Sequence, residues 1–104
     1  MSLQVDLDRL AETLADYTFA YLVTVGDDYR AKAVALSPVL TDGVLDVGGV
    51  GAGTRRNVAD HDGVTLLWPP RSAGGYTLIV DGTGSFDGET LRVVPTHAVL
   101  HRPA

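Results

Sequence analysis

The spacing of hydrophobic positions changes early in the chain. Leu7, Leu10, Ala11 and Leu14 recur at i, i+3, i+4 and i+7, which puts them on one face of a helix. Asp6 stands where a cap belongs, and Asp8 and Glu12 suit the first turns of that helix electrostatically. From Thr18 onward the period becomes two. Residues 18–25 are rich in β-branched and aromatic side chains, with Phe19, Tyr21, Val23 and Val25 on one face. Turn signals at Gly26-Asp27-Asp28 and Thr41-Asp42-Gly43 separate this run from strands over 30–40 and 44–47. After a glycine-rich loop at 48–53, the pattern predicts a short helix over 54–61, with Thr54 or Gly53 as its cap. Strands follow over 64–68, 76–86 and 91–100. Pro69-Pro70 ends the first of these, Asp87-Gly88 makes a hairpin, and the last is broken or bulged near Pro95. Six short strands and two short helices predict a mainly β, antiparallel, closed or nearly closed barrel. No repeat or linker interrupts it, so residues 1–104 read as a single domain.

The second strand has an informative alternation. Ala31, Ala33 and Ala35 fall on one face, and Arg30, Lys32, Val34 and Leu36 on the other. A face of three alanines lets a helix, a second subunit or a flat ligand approach the backbone closely.

Composition narrows the function classes. The chain has 104 residues, 45% of them hydrophobic, enough for one core and too apolar for disorder. It has no cysteine, which excludes disulfides, thiolate metal ligands and cysteine nucleophiles. A net charge of −5 argues against nucleic acid as a partner. No run approaches the length of a membrane span, and the N-terminal residues are acidic rather than signal-like, so a cytoplasmic location is expected. Against this acidic background Arg55-Arg56 is the one adjacent cationic pair.

Residues 48–54, Gly-Gly-Val-Gly-Ala-Gly-Thr, fail as a nucleoside-triphosphate loop, because Thr54-Arg55 stands where Lys-Ser/Thr is required. They fail as a dinucleotide fingerprint too, since the spacing is G-x-G-x-G among antiparallel strands. A glycine-rich turn opening a helix that bears Thr54, Arg55 and Arg56 nevertheless offers amides, a hydroxyl and two guanidiniums to a phosphate, or else it is a capped surface helix with two solvated arginines. His97 and His101 have no evident third metal ligand, and no metal site is expected. Ser37 and Ser72 lack a base partner, and no catalytic side chain is assigned. Asp81 reads as a rim or hydrogen-bonded residue. Trp68 fits the core, an interface or a plate on which a ring stacks.

Taken in order, Arg30-Ala-Lys-Ala-Val34, Asp42-Gly43-Val-Leu, Gly53-Thr-Arg-Arg-Asn57, Val64-Thr-Leu-Leu-Trp-Pro-Pro70 and the closing run 95–103 resemble the pyridoxamine 5′-phosphate oxidase-like family across nearly the whole chain. The resemblance implies a split β-barrel that pairs as a homodimer and holds FMN, or in some branches a deazaflavin, at the subunit interface. It implies backbone contacts to the ring from Lys32, Ala33, Val34 and Ala35, and a phosphate grip by Thr54, Arg55 and Arg56. Trp68 joins these as a candidate ring contact. The implied activity is flavin-dependent oxidoreduction of a small-molecule substrate, with a dimeric barrel that has lost its cofactor as the alternative. Two features depart from the family pattern. Residues 48–51 lack hydroxyl-bearing side chains, and the pyridoxamine-phosphate-binding residues of the true oxidases have no counterpart.

Overall fold

The structure, a computed structural model, describes residues 1–103. Eight strands form one antiparallel, curled sheet: β1 (Ser2–Gln4), β2 (Ala20–Val25), β3 (Ala31–Leu36), β4 (Val39–Thr41), β5 (Val44–Gly49), β6 (Gly63–Trp68), β7 (Thr77–Asp87) and β8 (Thr90–His101). Their order is β3-β2-β6-β7-β8-β5-β4. The first part of β8 pairs with β5, and its last residues pair with β1. The barrel is split, because its end strands β3 and β4 do not pair with each other.

Two differences raise the strand number from six to eight. The predicted strand over 30–40 is interrupted at Ser37-Pro38, where proline has no N–H for a ladder, so β3 and β4 are separate. The polar N-terminus adds β1, whose Leu3 pairs with Leu100. The predicted first helix is a 3₁₀ turn (Leu7–Arg9) running into α1 (Leu10–Leu14), and the second is α2 (Ala52–Asp60).

Alternation decides which side chains enter the core. Ala20 and Leu22 of β2, Leu45 and Val47 of β5, Val64, Leu66 and Trp68 of β6, Leu78 and Val80 of β7, and Leu91 and Val93 of β8 all point inward. Leu10 and Val58 cover this face from the two helices. The turns follow the sequence closely. Asp42 (φ 51°) and Gly43 (φ 79°) form a two-residue hairpin with both residues left-handed, as a type I′ turn requires. At the next hairpin the loop is Gly88-Glu89, one residue later than predicted.

The break expected near Pro95 is a bulge. Asp81 faces His97 and Gly82 faces Pro95, which leaves Thr96 as the extra residue. Gly82 is obligatory there, since a Cβ on it would come 2.6 Å from the Val94 carbonyl oxygen. Among the described residues, no helix is long and apolar enough to cross a membrane.

Candidate functional site at the start of helix α2

Helix α2 begins two residues before the predicted position. Gly51 is its N-cap, no side chain caps it, and its first backbone bond runs from the Arg55 amide to the Gly51 carbonyl at 2.9 Å. The amides of Ala52, Gly53 and Thr54 therefore precede the first helical bond, at the positive end of the helix dipole. Thr54 is not the cap. It occupies the third helical position with its side chain only 1% exposed, on the same buried face as Val58. With its side chain buried, what Thr54 contributes at the helix start is its amide.

Lys32 comes to this turn from β3. It pairs with Thr24 on the inward face of the sheet, and Thr24 Oγ1 accepts a hydrogen bond from Asn57 Nδ2 of α2 at 3.1 Å. The lysine is exposed, yet its ammonium lies over Gly53, where a Cβ would come 2.5 Å from Nζ. Glycine at 53 leaves room for that ammonium beside the uncapped amides. The resemblance involves only the backbone of Lys32; the structure adds its side chain. The signal was present in the alternation, which put Lys32 on the same face as Val34 and Leu36.

The two arginines part company. The Arg55 guanidinium lies 4.1 Å from the centroid of the Phe86 ring and donates from Nη2 to the Gly88 carbonyl at 3.2 Å. Arg56 is exposed and takes part in none of the ion pairs found among the described residues.

Ala33 and Ala35 lie on the outer face of β3, opposite Val23 and Tyr21, and so on the other side of the strand from Lys32 and α2. The alanine face and the cation are joined only by the edge of β3, which is unpaired because β3 ends the sheet. Val34 is half-buried on the inner face. Trp68 is 3% exposed, packed in the core at the far end of β6, and its edge lines a groove of about 320 Å³ between α1 and β4. It stands four positions along β6 from Val64, roughly 13 Å from the level of Thr24 and Lys32. The structure thus brings the Lys32 ammonium to Gly53 and the opening turn of α2, leaves Arg56 exposed three positions further along the helix, turns Arg55 toward the β7–β8 hairpin, and keeps Trp68 at the opposite end.

Three further polar pairs bond within the fold, away from this turn. Thr65 Oγ1 donates to Asp81 Oδ1 at 2.6 Å, His101 Nδ1 lies 3.0 Å from Ser2 Oγ, and His61 Nε2 lies 2.7 Å from Asp27 Oδ1. Among the described residues, no group of three or more His, Asp or Glu side chains could hold a metal ion. An ammonium and uncapped amides around a glycine make an arrangement suited to an anionic, phosphate-like group.

The architecture is that of the pyridoxamine 5′-phosphate oxidase-like split barrels. An FAD-binding protein from Mesorhizobium loti superposes with a TM-score of 0.76 at 11% identity, covering 96% of each chain. A candidate pyridoxamine 5′-phosphate oxidase from Listeria innocua does so with a TM-score of 0.72 at 18% identity, over 90% of this chain and 96% of that one. An F420 reductase gives 0.64 at 16% identity, over 83% and 91%. No protein-family model matches the sequence. Among curated sequences, uncharacterized proteins from Mycobacterium bovis and Mycobacterium tuberculosis are each 48% identical, covering 97% of this chain and 82% of theirs. The chain belongs to the family of these two mycobacterial proteins, and its own fold is the split barrel.

Proposed function

We propose that the protein binds a phosphorylated flavin, FMN in the first place, and serves as a flavin-dependent oxidoreductase acting on a small molecule. The observation that carries this reading is the Lys32 ammonium held over the side-chain-free Gly53 at the uncapped start of α2. Lys32 and the amides of Ala52, Gly53 and Thr54 would hold the phosphate, with Arg56 adding positive charge. The free edge of β3, along Lys32, Ala33, Val34 and Ala35, offers unpaired backbone N–H and C=O groups to a planar ring, and the alanines keep its outer side thin. Such a cofactor supplies the hydride and electron chemistry itself, so the chain's task is to bind and orient it. No side chain is needed as general acid or base, and none is assigned.

Homodimerisation completes the reading. The outer face of the sheet carries Tyr21, Val23, Leu67, Ile79 and Val99 in adjacent strands, and Tyr21 is 41% exposed. A second copy would cover this apolar surface and place a wall beside the β3 edge. The likeness to an F420 reductase supports a second reading, in which a deazaflavin takes the place of FMN.

Titration with FMN, FAD, a deazaflavin and riboflavin, followed by flavin fluorescence, tests the proposal. FMN is expected to bind more tightly than riboflavin, and Lys32→Met is expected to weaken FMN by about ten- to a hundredfold, as for a lost charge-assisted bond of about 1.5–3 kcal/mol. Riboflavin, without a phosphate, should be unaffected by that substitution. No binding of any of the four at tens of micromolar would leave the barrel without this function.

A further inference from the structure

The row of contacts that seats α2 on β7 separates the two arginines by role. Gly84 faces inward on β7, and a Cβ there would come 3.1 Å from Val58 Cγ1, so the absence of a side chain lets α2 sit directly on the strand. Two residues further along the same face of β7 stands Phe86, half-buried, and about one turn back along α2 from Val58 stands Arg55. The guanidinium carbon lies over that ring, 4.1 Å from its centroid, and Nη2 donates to the Gly88 carbonyl at 3.2 Å. Although Arg55 is exposed, a cation over a ring face and a directed N–H bond together fix a guanidinium more firmly than either alone. Val58 on Gly84 holds the middle of α2, and Arg55 on Phe86 holds its beginning.

We infer that Arg55 is a positioning residue: it clamps the opening turn of α2 to the β7–β8 hairpin and thereby fixes the amides of Ala52, Gly53 and Thr54, while making no contact with the ligand itself. The inference rests on the proposed phosphate role of that turn, and it reverses the expectation that Arg55 and Arg56 grip the phosphate as a pair. Lys32 and Arg56 are then the cations left to face an anion.

Two variants decide it, Arg55→Ala and Phe86→Leu, with their double variant and the ring-preserving Phe86→Tyr. FMN affinity and amide-exchange protection at position 55, the first bonded amide of α2, are both measured. If Arg55 acts through Phe86, each single substitution weakens FMN by about tenfold, the double variant is no weaker than either, and Phe86→Tyr restores wild-type binding. Exchange at position 55 rises in both single variants without ligand present. The opposite result is equally clear. If Arg55 touches the phosphate, Arg55→Ala weakens FMN while Phe86→Leu does not, and amide protection stays at the wild-type level in both. Unchanged affinity and unchanged protection in both variants would also overturn the clamp. Should the wild-type protein bind no FMN, the proposed function fails on that measurement, and amide protection alone still decides whether the clamp exists.

Discussion

Tyr29 has a left-handed backbone, with φ at 61°, and its side chain is 91% exposed. A non-glycine residue in this region is strained by about 1–2 kcal/mol, and a side chain this exposed recovers little of that through packing. Tyr29→Gly is therefore expected to raise the melting temperature by a few degrees, read by thermal denaturation. Tyr17 carries a different kind of information. Its hydroxyl donates to the Tyr76 carbonyl at 2.8 Å, and burial, with a smaller contribution from Asp16, raises its pKa above the ordinary tyrosine value. The folded chain thus keeps this proton at a pH where the unfolded chain has lost it. The resulting stability is full below about pH 10 and is lost as pH rises through the elevated folded value. Alkaline denaturation should show a shallower loss of stability in Tyr17→Phe than in the wild type; equal slopes would contradict the assignment.

At the scale of elements, the bulge on β7 and β8 and the start of α2 rest on glycines for steric reasons, not for turn conformation. Gly82→Ala would drive a Cβ into the Val94 carbonyl and Val93 Cγ1, each 2.6 Å away, and backbone on one side prevents a cheap adjustment. A loss of several kcal/mol is expected, since overpacking at this contact adds to backbone displacement (typically about 1–3 kcal/mol, and more when it is severe), and a urea melt would measure it. Gly53 is the contrasting case. The atom in the way is the tip of a flexible lysine, so Gly53→Ala should leave stability nearly unchanged while displacing the ammonium from the amides. Much of this level was legible in the sequence. The turn at Asp42-Gly43, the bulge near Pro95 and the two faces of β3 follow from local rules. The start of α2 is not legible locally, because Thr54 has a cap's side chain yet lies buried on the same face as Val58.

At the scale of the whole molecule, one face of the curled sheet is lined inside by the core, and the outside carries a second apolar field. Leu67, half-buried at its centre between Tyr21 and Ile79, is the position to probe. Under the proposed homodimer, Leu67→Glu should give a folded monomer by analytical ultracentrifugation, with flavin affinity falling alongside it. A wild-type protein that sediments as a monomer at micromolar concentration would remove the second wall from the proposed groove.

Local chemistry alone set the alternating strands, the hairpin turns, the inward and outward sets of side chains, and the concentration of glycine and cation near residue 54. These are properties of a few consecutive residues, and the backbone reports them without knowing its distant neighbours. Bringing Lys32 over Gly53, laying Arg55 over Phe86, and sinking Trp68 into the core away from both depended on which strands pair and how the sheet curls. Those contacts join residues 21 to 31 positions apart or more, and their geometry is fixed by the packing of α2 on the sheet, which no short stretch of sequence contains.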